Sequence, residues 1–276
     1  MSVGMQPTNP LAKHPAKAPA SSLGALAPPA APAASSTNQA FILDEQARIR
    51  ATIGRVAIFR ELTAAVLDDL ARRTTTRRVP GGEPIVTQEQ GGDALYVILA
   101  GRAKVVLPGE SGREVTLAVL RSADIFGEMS LFDGKSRSAN VVAIDPVTVV
   151  AIARDDFLRH LAQHPQTAFA LLGEMSRRLR KADETIAELA LCDVQDRLIR
   201  RLVALAREDG TSLPEGALIR RRPTQQDLAN MVGACRETIS RTFNTLARRG
   251  LIIPRGRSLL VTHRLVSMSA PSQKAA

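Results

Sequence analysis

Residues 224–252 read TQQDLANMVGACRETISRTFNTLARRGLI, and their punctuation is that of two short helices joined by a tight turn. Thr224, followed three residues later by Asp227, has the capping-box form, in which a hydroxyl and a carboxylate satisfy the free amides of a helix start. The first helix is expected over Gln225–Val232 and stops at Gly233; the second runs from about Arg236 to Arg249. In the second, Ile239, Phe243, Leu246 and Ala247 share one face, leaving Arg236, Glu237, Ser240, Arg241 and Asn244 on the other. Two helices meeting at a glycine turn form a helix-turn-helix. Arginine can donate two bonds to guanine O6 and N7, and glutamate can accept from cytosine N4, so the outward face suits base edges in a major groove. Beyond Gly250, Leu251–Ile253 and Ser258–Thr262 flank Pro254-Arg255-Gly256-Arg257. This reads as a hairpin wing with two arginines at its tip, suited to phosphates.

Charge follows the same division. The 276 residues carry a net charge of +10, but residues 194–276 alone hold 15 basic and 6 acidic side chains. Residues 41–193, with 20 basic and 21 acidic, are nearly neutral. A basic excess confined to one region points to a polyanionic partner, double-stranded DNA in this context.

Working toward the N-terminus, the helix Val194 to Glu208 is expected to start on Asp193 as its cap. Before it, Leu172, Met175, Leu179, Ala182, Ile186 and Leu189 are spaced alternately three and four apart, the seam of a coiled coil that pairs with a second copy. From about Phe59 to Ile152 the pattern is short apolar runs cut by Gly and Asp turns. Strands are expected at Leu95–Leu99, Ala103–Leu107, Val115–Leu120 and Val147–Ile152, after a helical stretch Glu61–Arg73. They make an antiparallel barrel or roll. Residues 1–40 are dominated by Ala, Pro and Ser and read as a disordered arm; residues 267–276 read as a disordered tail.

Within the β region, residues 126–140 read FGEMSLFDGKSRSAN. Gly127 opens a turn into a short helix, whose amides can face an anion. Arg137 offers a planar fork for a phosphate, Ser138 a hydroxyl and Glu128 an acceptor for a sugar hydroxyl.

Other classes are excluded. Cys192 and Cys235 are too few and too far apart for a disulfide framework or a metal cluster. His160 and His164 are spaced i, i+4 beside Pro165 and read as surface histidines, not metal ligands. No P-loop or catalytic triad is present, so an enzyme is not expected. No apolar run approaches the roughly 18 residues of a membrane span. Lys13 and Lys17 are followed by Ala and Pro, not by the apolar core of a signal peptide, so a cytoplasmic protein is expected.

Three segments together resemble the cyclic-AMP receptor protein / FNR (Crp/Fnr) family of bacterial transcription regulators, from about residue 56 to 264. GEMSLFDGKSRSA (127–139) resembles that family's phosphate-binding cassette, LALCDVQDRL (189–198) its hinge, and 224–252 its winged helix-turn-helix. The resemblance implies an α+β chain with a cyclic-nucleotide-binding β-roll over 41–165, a dimerisation helix and hinge over 166–193, and a winged helix-turn-helix over 194–266. It implies a homodimer on a palindromic TGTGA-like site, with Arg236, Glu237 and Arg241 reading bases. Thr224, Gln226, Thr238, Arg255 and Arg257 would hold phosphates. Gly127, Glu128, Arg137, Ser138, Arg178 and Asp183 would surround a cyclic nucleotide, cyclic AMP foremost, as an allosteric ligand and not a required cofactor. RNA polymerase is the further partner implied, and no membrane or metal is. Two positions depart from the pattern. Ala182-Asp183 stands where the cyclic-AMP receptor has a Thr-Ser pair meeting the adenine, and Cys235 replaces the Ser that usually opens the recognition helix. The first departure leaves open a ligand-independent regulator, controlled by its concentration or by modification of the arm.

Overall fold

The structure, a computed structural model, describes residues 34–109 and 112–268. Residues 1–33 of the expected arm, and the expected tail from 269 onward, lie outside the described residues. The arm's expected boundary needs correction, because helix α1 (Ala34–Ile53) already includes residues 34–40. Pro32 is the last proline before Pro80, and without a proline to remove donors the Ala- and Gln-containing stretch continues into the amphipathic turn ending at Ile49 and Ile53, both buried. The expected tail likewise gives up residues 267 and 268 to the last helix.

The described residues from Ile42 onward belong to one compact unit. After a short 3-10 turn at Ala57–Phe59 comes α2 (Ala64–Arg72), shorter than the expected 61–73. The β-roll follows: β1 (Thr74–Val79), β2 (Pro84–Val86), β3 (Ala94–Ala100), β4 (Ala103–Pro108), β5 (Glu114–Leu120), β6 (Ile125–Phe126), α3 (Met129–Asp133), β7 (Asn140–Ala143) and β8 (Val147–Ala153). Its strands form two antiparallel four-stranded sheets, ordered β1-β8-β3-β6 and β2-β7-β4-β5. Alternation along β8 sends Val147 and Val149 into the core between the sheets and Val150 and Ile152 into a second core. That second core lies under helices, where Leu95 and Val97 of β3 meet Ile53, Phe59, Leu70, Phe157 and Leu171. The central strands β3 and β8 are therefore buried on both faces, which is why they read as continuous apolar runs, whereas the edge strand β1 is polar and largely exposed.

Helix α4 (Arg154–Gln163) leads through Pro165, at the first turn, into the 27-residue α5 (Pro165–Leu191). His160 corrects its sequence reading as a surface residue. It follows Phe157 by one helical turn on the inward face, is buried, places Nε2 3.2 Å from Thr167 Oγ1, and meets the Phe59 ring edge-on. Burial, with the neighbouring His164 adding and Asp69 opposing, lowers its pKa to about 4.

The C-terminal part comprises α6 (Val194–Asp209), β9 (Gly210–Leu213), β10 (Gly216–Ile219), α7 (Gln225–Val232), α8 (Arg236–Arg248), β11 (Ile252–Arg255), β12 (Ser258–Thr262) and α9 (His263–Met268). Its sheet is ordered β11-β12-β10-β9, so the wing hairpin is one half of a four-stranded sheet. The other half, β9–β10, carries short strands that the sequence reading did not separate from loop. Its turn depends on Gly216, at φ 152°, where a Cβ would collide with the Val261 carbonyl of β12.

Candidate ligand and DNA-binding sites

The cassette is built by a strand end, a glycine and one short helix. β6 ends at Phe126, Gly127 turns the chain at φ 84°, and α3 closes at Gly134 in the left-handed region. Gly127 is required sterically, since a Cβ there would collide with the Arg137 guanidinium. Arg137 as a whole is only 5% exposed. Its Nη1 donates to Gly127 O at 2.7 Å and Ser130 Oγ at 3.0 Å, and Nη2 to Ala94 O at 3.0 Å. It also lies over the Tyr96 ring. The fork expected to face an anion is thus turned onto protein acceptors.

Glu128 is equally buried. Oε1 accepts from Arg178 Nη1 at 2.9 Å, whereas Oε2 is buried with no hydrogen-bond partner. An orphaned carboxylate oxygen in a buried site costs free energy until a donor, such as a sugar hydroxyl, reaches it. Arg178 joins α5 to the cassette, donating also to Ile125 O at 2.8 Å and to Glu174 Oε1 at 3.1 Å. Burial raises Glu174, but hydrogen bonds from Arg177 and Arg178 overcome this and hold its carboxyl below its ordinary value. Gly127, Glu128, Arg137 and Arg178 therefore converge. Ser138 lies exposed, its Oγ 3.7 Å from Met129 Sδ, and Asp183 lies exposed farther along α5. Sequence reasoning missed Ser130 and Ala94, which hold Arg137, and Glu174, which orients Arg178. Only the last had a signal, the i, i+4 spacing of Glu174 and Arg178.

Along α5, Leu172, Leu179 and Ile186 are 62%, 64% and 63% exposed, at seven-residue intervals on one face. Ala182 is exposed with them. Met175 is half-buried against its own domain's core beside Leu171, and Leu189 rests on Gly233 in the helix-turn-helix turn. Phe169, also exposed, extends the stripe and was not anticipated.

In the C-terminal part the capping box is formed. Thr224 Oγ1 accepts from Asp227 N at 3.1 Å, and Asp227 Oδ2 accepts from Thr224 N at 2.9 Å. α7 ends at Gly233 with φ 68°, and α8 buries Ile239, Phe243 and Leu246. Arg236, Glu237 and Arg241 are exposed on the opposite face. Cys235, the N-cap of α8, makes no side-chain cap bond; its Sγ lies 3.0 Å from Thr238 Oγ1, which lowers the thiol pKa. Gln226 is exposed, with its amide 2.8 Å from that of Asn230. In the wing, Arg255 donates to Glu215 Oε1 at 3.3 Å, and the Arg257 carbonyl accepts from Arg222 N at 3.0 Å. The run Arg220-Arg221-Arg222 was not singled out from sequence, although three consecutive arginines were its signal.

Among the described residues, no helix is long and apolar enough to cross a membrane, and no cluster of His, Cys, Asp or Glu is suited to a metal. Residues 76–164 match the cyclic nucleotide-binding domain, and residues 196–265 match the Crp-like helix-turn-helix domain. A CRP-like cAMP-activated global transcriptional regulator of Mycobacterium tuberculosis is 30% identical over 210 residues, covering 76% of this chain and 94% of that protein. The cAMP-activated global transcriptional regulator CRP of Salmonella typhimurium is 31% identical over 186 residues, 67% of this chain and 88% of that one. The solved structure of the c-di-GMP responsive global regulator CLP of Xanthomonas campestris superposes with a TM-score of 0.65 at 25% identity, covering 72% of this chain and 99% of that chain. The chain therefore belongs to the Crp/Fnr family, as a transcription regulator that joins a cyclic nucleotide-binding domain to a DNA-binding helix-turn-helix.

Proposed function

We propose that this regulator acts as a homodimer on a palindromic TGTGA-like site, and that a cyclic nucleotide in the β-roll, cyclic AMP foremost, modulates its binding. The observation that carries the DNA reading is α8: a helix anchored by Ile239, Phe243 and Leu246 that exposes Arg236, Glu237 and Arg241 beside a basic wing. Arg236 and Arg241 donate to guanine, Glu237 accepts from cytosine, and Thr224, Gln226, Thr238, Arg255 and Arg257 hold the backbone. The exposed heptad stripe of α5 pairs with a second copy and sets two recognition helices one helical turn of DNA apart. The dimer then acts on transcription through RNA polymerase.

The unpartnered Glu128 Oε2 supports the ligand reading, because a ribose hydroxyl satisfies it. Glu128 and Gly127 would hold the sugar, Arg137 and Ser138 the phosphate, with Arg178 and Asp183 on the α5 side. Ligand in this place acts on α5 through Arg178 and shifts the population of DNA-competent dimers. A second reading, a ligand-independent regulator, is favoured by one observation: Arg137 already has three protein acceptors, so the cassette is closed on itself.

Gel-shift competition between a TGTGA palindrome and scrambled DNA, with and without cyclic AMP, tests the first reading. Calorimetry with cyclic AMP and cyclic GMP accompanies it. Preference for the palindrome that rises with ligand is expected. Equal affinity for both duplexes would overturn site recognition; no heat and no ligand effect would leave the ligand-independent regulator.

A further inference from the structure

Two sets of ion pairs fasten the helix-turn-helix part to the β-roll. Arg121, just past β5, donates to Asp209 Oδ2 at 2.7 Å, Asp209 Oδ1 at 3.1 Å and Glu208 Oε2 at 3.2 Å, all at the C-terminal end of α6. Arg221, just past β10, donates Nη1 to Asp145 Oδ1 at 3.0 Å in the turn between β7 and β8. The two differ in kind. The Arg121 contact is a fork on two carboxylates with the side chain 31% exposed, whereas the Arg221 side chain is 75% exposed and makes one contact. With Arg221 open to solvent, though the Asp145 side chain is only 24% exposed, such a pair holds weakly and exchanges readily.

Arg221 also stands among the groups assigned above to the DNA backbone. Arg222, its neighbour, donates its backbone N–H to Arg257 O at the wing tip, and Thr224, the cap of α7, follows directly after Pro223. Asp145 can release Arg221 cheaply, because its other oxygen, Oδ2, is held by Arg102 Nε at 2.7 Å. Arg102 foremost, opposed by burial and aided by Arg221, holds the Asp145 carboxyl below its ordinary value. The group competing for Arg221 near neutral pH is therefore an anion, as a phosphate is.

We infer that Arg221 is a shared cation, paired with Asp145 of the β-roll in the DNA-free chain and transferred to a backbone phosphate when the winged helix docks. This rests on the DNA-binding reading above and adds to it a residue and a direct competition between sensor and DNA. After transfer Asp145 keeps Arg102, so no carboxylate is stranded, and the guanidinium fork meets a phosphate as well as it meets a carboxylate.

The test measures affinity of the full chain for one TGTGA duplex by fluorescence anisotropy across a salt series, for wild type, D145N, R221Q and the double variant. D145N is expected to tighten binding at low salt by up to about fivefold, the range of an exposed pair. R221Q is expected to weaken binding and to flatten the slope of log K against log salt by about 0.9 per chain bound. In the R221Q background, D145N should give no gain. The same gain in both backgrounds would overturn the exchange, since Asp145 would then act only as a general repulsive charge. An unchanged salt slope in R221Q would overturn it too, and this readout stands even where D145N perturbs folding through Arg102, because the Arg221 side chain is exposed. A wild-type chain that binds no duplex would overturn the underlying reading along with it.

Discussion

Arg137 and Arg241 are the same side chain in opposite settings. Arg137 is buried in the β-roll with its donors on Gly127, Ser130 and Ala94; Arg241 stands exposed on α8. The difference separates two kinds of charge chemistry. A buried cation organises its surroundings, because every acceptor around it has lost water and depends on it. An exposed cation leaves the fold nearly indifferent and makes itself felt when a polyanion arrives. Arg137 in the sensor half works in the first way and Arg241 in the reader half in the second.

Arg137→Ala tests the buried side most severely. It removes three hydrogen bonds from a charged donor, to Gly127 O, Ser130 Oγ and Ala94 O, worth roughly 1.5–3 kcal/mol each, so a loss of about 3 kcal/mol or more is expected in urea unfolding of the full chain. Arg241→Ala, compared in the same experiment, should stay within about 0.5 kcal/mol of wild type. Equal losses at the two positions would erase the contrast.

His160 extends the comparison to pH. Its folded pKa, about 4, lies below the ordinary 6.5, so the unfolded chain binds the extra proton first as pH falls. Stability is therefore fully present above about pH 6.5 and declines toward pH 4, by about 2 kcal/mol once partial solvent screening is allowed for. His160→Leu, which shifts stability by a constant through Thr167, should remove this part of the pH slope. A slope unchanged by the substitution would show that carboxylates alone set acid stability.

On the exposed side, Arg236→Ala and Arg241→Ala should each cost about 1–3 kcal/mol of discrimination between the palindrome and scrambled DNA while leaving the melting temperature in place. Competition binding measures the first and thermal unfolding the second. Equal weakening on both duplexes would reassign the residue from base edges to phosphates.

These two halves were not equally legible in the sequence. The helix-turn-helix announced itself because each of its signals is local: the Thr224–Asp227 box, the Gly233 stop and the Ile239–Phe243–Leu246 stripe all act within one or two turns of chain. Gly127, Glu128 and Arg137 were legible as a group for the same reason, all lying within one short segment. What escaped depends on partners distant in the chain. The burial of His160 is set by Phe59 and α5, and the inward turn of Arg137 by Ala94 of β3. Arg221 is held by Asp145, from another domain. The start of α1 at Ala34 and the β9–β10 hairpin escaped for another reason, since their residues carry little apolar period of their own. The hairpin is ordered by pairing with β12.

Thr224 carries the smallest expected effect and lies on the border between the two kinds of chemistry. Its hydroxyl caps α7 by accepting from Asp227 N, and the same residue is assigned above to a phosphate. Thr224→Ala should lose about 1 kcal/mol of stability as the cap disappears. Thr224→Asn should lose only a few tenths, since asparagine caps as well as threonine does, with no change of charge. Affinity for DNA then separates the roles. If the hydroxyl works only as a cap, the asparagine variant binds DNA like wild type, and the alanine variant weakens in step with its stability. If it also meets a phosphate, the alanine variant loses affinity beyond its loss of stability, for specific and scrambled duplexes alike, because a backbone contact is blind to sequence, while the asparagine variant, whose amide can donate in place of the hydroxyl, loses less. The second pattern, seen in a variant whose fold is intact, would place Thr224 with the exposed, DNA-facing groups; the first would return it to those that serve the fold.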